Sequence, residues 1–466
     1  MNNIDSLKLH DPLPGHQKVA IFGLGASGLA AARLLASFGK TIIASDTAPE
    51  TKRSELEARL PAGSRLILGK NDFADATAIV TSPGLAPDFP IFLEAAKKNI
   101  PVLAELELGA RSTTTPIVAI TGTDGKTTTT TLTNHILNTC GKVAQTGGNI
   151  GIPLSQVVAE AQNLDYLVVE TSAFQLPFCH TFHPKILIAT NIAEDHSEYF
   201  KGDWQKYVEA KRKPLSNMSA DDVAVLNASD PEIAPWRDKT QAAIFWYGES
   251  EDDIPDDATC FAFLTEDEFV FCYKGEHFRY SRNAVHLKGL HNAMNILSSV
   301  CACRAAGCPF ESSFSAIGSY KLPPHRIETV CVRRGVTFID DSKATNPHAA
   351  IAALVALHRP LVLIAGGVDK GLHLGLWLET MKGCVTGLVL IGALTERLHR
   401  EALEAGLSCP IVECDTLPNA VAKACELAGE THADTVLLSP ACSSYDMFDN
   451  YGQRGDVFAL AARELE

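Results

Sequence analysis

Across 466 residues no stretch approaches the roughly 18 consecutive apolar residues of a membrane-spanning helix. The opening segment, 1–14, is polar and has no apolar signal core. Membrane insertion and export are therefore not expected, and a cytoplasmic location is. Positive charge is scarce as well. Against 55 Asp and Glu stand 40 Lys and Arg, a formal net charge of −15, whereas a nucleic-acid partner would want a basic face. Cys301, Cys303 and Cys308 lack paired C-x-x-C spacing and lie in an apolar helical pattern, which argues against a metal knuckle. The 13 cysteines are an odd number scattered through helix and strand patterns, as reduced core thiols would be. Internal repeats and low-complexity tracts are absent. What is present is the ordinary composition of a soluble α/β protein, 46% apolar and 20% charged. The chain is too long for one core, and its length suggests about three domains.

The pattern along the chain divides accordingly. From 18 to about 111, short apolar strands at 19–22, 41–44 and 78–80 alternate with helical stretches, which predicts a parallel sheet with crossover helices. Ser112-Thr113-Thr114-Thr115-Pro116 reads as a linker. A second region carries strands at Tyr166–Glu170 and 186–191, then changes texture between 221 and 286. There, alternating runs at Cys260–Leu264 and 269–273 predict an antiparallel portion, closed by a helix over 291–306. Pro323-Pro324 marks a second boundary. A third region repeats the α/β rhythm with strands at 361–365, 388–391 and Thr435–Leu438. The expected organisation is three α/β domains, 1–114, 115–321 and 322–466.

Directly behind the apolar run 116–119 comes Ile120-Thr121-Gly122-Thr123-Asp124-Gly125-Lys126-Thr127-Thr128. A β-branched strand, a glycine turn and a helix beginning at Lys126 would hold backbone N–H groups and a helix N-terminus around a polyphosphate. Lys126 supplies counter-charge, and the Thr127 hydroxyl is left for a magnesium ion. The usual phosphate loop has its first glycine where Ile120 stands here; the first glycine is Gly122, giving a shortened Gly-x-x-Gly-Lys-Thr. A nucleoside triphosphate is the expected energy source. Glu170, ending a strand, is placed either to meet that magnesium or to cap the next helix. In Asn191-Ile192-Ala193-Glu194-Asp195-His196, the histidine is either a second metal ligand or structural. Fifteen residues later, Lys211 stands in Ala210-Lys211-Arg212-Lys213-Pro214, by itself a basic helix end.

Gly23-x-Gly25-x-x-Gly28 follows the first strand, and Asp46 ends the next one eighteen residues after Gly28. This has the form of a dinucleotide fingerprint. It would suit a nicotinamide dehydrogenase, a sugar-nucleotide site or simply tight strand–helix packing. Thr81-Ser82-Pro83-Gly84, a loop on the same sheet, would offer N–H groups to the same ligand or be a plain turn. In the third region, three polar loops each follow an apolar strand: 340–347, 366–371 and 439–444. They should gather at one carboxyl edge, where lysines and hydroxyls would suit an anionic substrate such as a dicarboxylate.

Together these residues resemble the Mur ligase family, ATP-dependent amide-forming enzymes of cell-wall peptide synthesis, over nearly the whole chain. The resemblance rests on the shortened loop, Glu194-Asp195-His196 followed by Lys211, Leu290-His291-Asn292, Pro324-His325-Arg326, 341–346 and Leu438-Ser439-Pro440-Ala441. It implies a Rossmann-like first domain for a uridine diphosphate sugar and a central ATPase domain with added antiparallel strands. The third domain is then a Rossmann-like α/β domain for the amino acid. The implied reaction adds D-glutamate to UDP-N-acetylmuramoyl-L-alanine through an acyl phosphate, using ATP and two magnesium ions, in a monomer. A family member adding a different amino acid, such as L-glutamate, is the alternative; a nicotinamide oxidoreductase would leave the Lys126 loop without a role.

By the same resemblance, Gly122, Thr123, Asp124, Gly125, Lys126, Thr127 and Thr128 hold ATP phosphates, with Asn292, Arg326 and Asp341 on its base and ribose side. Thr127, Glu170, His196 and Lys211 are implied at metal, Lys211 as a carbamate; with Lys126, the last three form the catalytic set. Gly25, Ser27, Asp46, Thr47, Ser82, Gly84 and Asn149 fall where the uridine diphosphate sugar binds. Lys343, Thr345, Lys370, Ser444 and Tyr451 fall where the incoming amino acid binds. Two positions depart from the family pattern: Tyr451 stands where Phe is frequent, and Asp124 where Asn is.

Overall fold

The computed structural model describes residues 9–465 except Gly84, Gln162, 196–198, His358, Lys370 and Leu372. Three sheets follow one another along the chain. The first is wholly parallel and is built from β1 (Lys18–Phe22), β2 (Thr41–Asp46), β3 (Arg65–Leu68), β4 (Ala78–Thr81) and β5 (Val102–Ala104), in the order β3-β2-β1-β4-β5. All of β1 beyond Lys18 is buried, as expected of a strand covered by helices on both faces. The helix Ala26–Ser37 packs close behind β1 because Gly28 has no side chain. A Cβ there would sit 1.8 Å from the Gly23 carbonyl oxygen.

The second sheet has nine strands: β6 (Ile117–Thr121), β7 (Ala144–Gly148), β8 (Tyr166–Glu170), β9 (Ile186–Ala189), β10 (Val223–Asn227), β11 (Ala243–Gly248), β12 (Cys260–Leu264), β13 (Glu268–Tyr273) and β14 (Glu276–Ser281). Their order is β14-β13-β12-β11-β10-β9-β6-β8-β7. The expected antiparallel portion is present as β12-β13-β14, grafted through β12 onto an otherwise parallel sheet. The third sheet comprises β15 (Glu328–Arg333), β16 (Val336–Asp340), β17 (Leu361–Gly366), β18 (Val385–Ile391), β19 (Ile411–Glu413) and β20 (Thr435–Leu438). It runs β15-β16-β20-β17-β18-β19 and is parallel except at β15. The first two sheets belong to one compact unit, and the third, beginning at Lys321, dominates another. No helix among the described residues is long and apolar enough to cross a membrane.

The first two sheets share a core. Phe92 lies 6.0 Å from Phe22 and meets Phe178 edge-on at 4.9 Å between ring centroids. Within this apolar junction sits a carboxyl group. Glu105 is 1% exposed; one oxygen accepts the Ser155 N–H at 2.6 Å and the other has no partner among the described residues. Burial raises its pKa from an ordinary 4.5 to about 7. Between those values the folded chain keeps a proton that the unfolded chain has released, so stability falls as pH rises, by about 1.4 kcal/mol per unit. Glu105→Gln keeps the accepting oxygen and removes the titration. Urea unfolding at a series of pH values should therefore find the variant gaining on the parent chain from pH 4.5 to 7. A difference independent of pH would refute the assignment.

Candidate active site

Neighbouring strands of the second sheet end together. In the order β9-β6-β8, Thr121 stands beside Ala189 and Ile120 beside Glu170. The segments that follow these strands therefore emerge at one carboxyl edge, where open α/β sheets bind ligands. The chain turns at Gly122, with φ +138° and no room for a side chain: a Cβ would lie 1.9 Å from the Thr190 hydroxyl. Asn191 then clamps the turn. Its carbonyl accepts the Thr123 N–H at 2.8 Å, and its side-chain oxygen accepts the Asp124 N–H at 2.9 Å. The Thr190 hydroxyl donates to the Asp124 carbonyl at 2.7 Å. From Gly125 the chain enters the helix Lys126–Thr139, whose first turn leaves amide N–H groups without helical acceptors at the positive end of the helix dipole. Thr127 and Thr128 are buried in that turn, and Lys126 Nζ folds back onto the Thr123 carbonyl at 2.5 Å. Asn295 on the helix Leu290–Ala305 supports the loop by accepting the Thr129 hydroxyl at 3.1 Å; Asn292, one turn earlier, is buried too.

Lys211 is no solvated helix end. It is 2% exposed, its Nζ donates to the Gly122 carbonyl, and it lies 4.6 Å from the Tyr207 ring centroid. Tyr207 in turn bonds the Thr123 hydroxyl at 2.8 Å. One helical turn apart on Trp204–Arg212, the two side chains share the face that meets the loop.

Glu170 is equally buried, at 2%. One of its oxygens accepts from the Asn149 amide at 3.0 Å, while the other has no partner among the described residues. A buried carboxylate oxygen left unpaired is unfavourable unless a cation meets it. At the edge of a phosphate-type loop, oxygen donors of this kind fit magnesium.

In the first sheet, Asp46 and Ser82 serve the glycine loop directly. Asp46 accepts the Leu24 N–H at 2.6 Å with one oxygen and the Ala48 N–H at 2.8 Å with the other. The Ser82 hydroxyl donates to the Gly23 carbonyl at 3.0 Å. Gly25 caps the following helix, Ser27 lies in its first turn, and Thr47 is exposed beside Asp46.

The third sheet gathers its own polar edge. Asp341 follows β16 and is buried, accepting the Ser439 hydroxyl at 2.8 Å; burial pushes its pKa to about 7, against the pull of Ser439 and Arg326. Arg326 has a buried Nε without a partner among the described residues. Lys343 Nζ sits 3.8 Å over the Tyr451 ring, and Ser444 is buried in the loop after β20. Thr345 lies two residues past Lys343, half-buried. Arg454 stitches the loops together: its guanidinium donates to the Ser342 hydroxyl at 2.9 Å, the Ser342 carbonyl at 2.8 Å and the Cys442 carbonyl at 3.0 Å. Gly84, His196 and Lys370 lie outside the described residues.

Asn191 opens the polar cluster noted in the sequence, though no role attached to it there; three further residues that hold these sites were not singled out. Tyr207 carries a local signal, a position one turn before Lys211. Asn295 and Arg454 carry none, since they act on Thr129 and Ser342, 166 and 112 residues away.

Comparison with known proteins adds a family to this geometry. Residues 17–104 match the model described as Mur ligase MurD-like, N-terminal domain; 120–303 match the Mur ligase middle domain, and 325–442 the Mur ligase glutamate ligase domain. The UDP-N-acetylmuramoylalanine--D-glutamate ligase of Trichlorobacter lovleyi is 35% identical over 453 residues, covering 96% of this chain and 99% of the relative. The protein of the same name from Desulfosudis oleivorans is 37% identical over 461 residues, 97% of each chain. Among solved structures, the UDP-N-acetylmuramate-alanine ligase MurC from Thermotoga maritima superposes with a TM-score of 0.57 at 17% identity, over 96% of this chain and 99% of that one.

Proposed function

The chain belongs to the Mur ligase family, and on that premise we propose that it joins D-glutamate to UDP-N-acetylmuramoyl-L-alanine, driven by ATP, in peptidoglycan precursor synthesis. The observation that carries this reading is the full-length identity of 35% and 37% with ligases of that name. The domains taken as functional units are 1–114, 115–321 and 322–466, in a cytoplasmic monomer.

In this reading the carboxylate of the alanyl group attacks the γ-phosphorus of ATP, ADP leaves, and the glutamate amine displaces phosphate from the activated carbonyl while losing a proton. Gly122, Thr123, Asp124, Gly125, Thr127 and Thr128 surround the phosphates, held in shape by Asn191 and Asn295. Lys126 exchanges the Thr123 carbonyl for a phosphate oxygen. Asn292, Arg326 and Asp341 take the nucleoside side. Thr127, Glu170, His196 and Lys211 as a carbamate would hold two magnesium ions, which would supply positive charge against the phosphate oxygens. The unpaired Glu170 oxygen supports this assignment. Gly25, Ser27, Thr47, Gly84 and Asn149 receive the uridine diphosphate sugar, with Asp46 and Ser82 shaping its loop. Lys343, steadied by the Tyr451 ring, joins Thr345, Lys370 and Ser444 in holding the glutamate carboxylates.

The test is ADP release with UDP-N-acetylmuramoyl-L-alanine and a panel of D- and L-amino acids. Turnover should require D-glutamate. Turnover with another amino acid and none with D-glutamate would show the substrate to be wrong.

A further inference from the structure

The helix Trp204–Arg212 has a second working face. Tyr207 and Lys211 meet the phosphate loop, whereas Lys206 and Ala210, four residues apart, and Lys213, just past the helix end, line a cavity of about 610 Å³. That volume falls in the range of small-ligand sites, about 300–1,000 Å³. Its other walls are apolar: Pro87 from the segment after β4, Pro177, and the Tyr199–Phe200 pair, packed edge to face at 4.9 Å. The Tyr199 hydroxyl is spent on the Leu85 carbonyl at 3.0 Å, so its ring is fixed rather than its polar end offered.

The charge around this apolar floor is one-sided. Lys201, Lys206, Arg212, Lys213 and Lys239 line it together with Asp88 and Glu209, and Asp203 pairs with Lys206 beside it, five cations against three carboxylates, or +2, in a chain whose net charge is −15. Lys201 is paired with Asp88, and Lys206 with Asp203 at 3.0 Å. Arg212 and Lys239 have no ion pair among the described residues. Lys213 Nζ donates to the Pro177 carbonyl at 2.5 Å and has no ion pair among the described residues, so a bound anion would supply its counter-charge.

We propose that this cavity binds a small organic anion, with an aromatic or branched aliphatic body against Pro87, Pro177 and Phe200 and one or two carboxylate, phosphate or sulfonate groups directed at Arg212 and Lys213. None of these residues is used in the ligase reading, so the site is additional to it.

The experiment is fluorescence titration of the full chain with anilinonaphthalene sulfonate, beside its uncharged analogue phenylnaphthylamine. The sulfonate should saturate at about one equivalent and bind about tenfold more tightly than the neutral probe, the size of effect expected of a charge-assisted contact. The double variant Arg212→Gln/Lys213→Gln should remove that advantage, and Ser216→Trp, at an exposed lining position, should block both probes. Saturating ADP or UDP should leave the bound signal unchanged. Equal affinity for the two probes, indifference to the double variant or to Ser216→Trp, or displacement by either nucleotide would overturn the proposal. Ligase turnover is not part of the readout, so failure here leaves the proposed reaction untouched.

Discussion

Lys126→Ala should lower kcat/KM for ATP by about 10³-fold, equivalent to about 4 kcal/mol of transition-state stabilisation, while the affinity for the UDP substrate measured by calorimetry stays unchanged. The asymmetry follows from where the lysine stands. Among the described residues its ammonium bonds only the Thr123 carbonyl, at 2.5 Å, within the turn between β6 and the helix Lys126–Thr139. Losing that bond weakens the fold by about 1 kcal/mol at most. The loop keeps its shape without it, because Asn191, Thr190 and Asn295 hold the backbone and the following helix. On the proposed reading, what the variant loses is the positive charge that would sit over the phosphates as charge shifts toward the leaving ADP. The glycine loop of the first sheet, held by Asp46 and Ser82, is built from other residues and should bind as before. A parallel loss of both properties would mean that Lys126 acts through the fold and not on ATP.

How far such a site is legible in a sequence depends on how local its physics is. The phosphate loop is readable because strand, turn and helix start fall within twelve consecutive residues, 117–128, and each residue type is demanded by its own backbone position. The alternating runs at 260–264 and 269–273 are readable for the same reason, since a hairpin is a local object. Lys211 shows the opposite case. Its surroundings in sequence are those of a solvated basic helix end, and only packing under Tyr207 against Gly122, 89 residues away, makes it a buried part of the loop. Asp46 lies between these cases. Spacing places it correctly behind the glycine turn, but both its oxygens are engaged by backbone N–H groups, so its first duty is to shape the loop. Pairings across more than a hundred residues, such as Arg454 with Ser342, leave no periodic or compositional trace.

Glu170→Gln should move stability and activity in opposite directions. The Glu170 carboxylate is 2% exposed, donates nothing, and has one oxygen on Asn149 and the other on no described partner. Keeping a buried charge so poorly compensated works against folding, and a neutral amide of the same shape removes that penalty. The ligand-free variant should therefore gain about 1–3 kcal/mol in urea unfolding. Turnover should fall by about 10³-fold, because the oxygen proposed to meet magnesium becomes part of an uncharged group. Added magnesium should stabilise the parent chain, through the mass action of a ligand bound only by the folded state, and have no such effect on the variant. A residue retained for packing would lose stability on substitution and show no dependence on magnesium. Strain kept at one carboxylate and relieved by a bound cation is the signature of a site built for binding, and loss of stability in Glu170→Gln would remove this carboxylate from it.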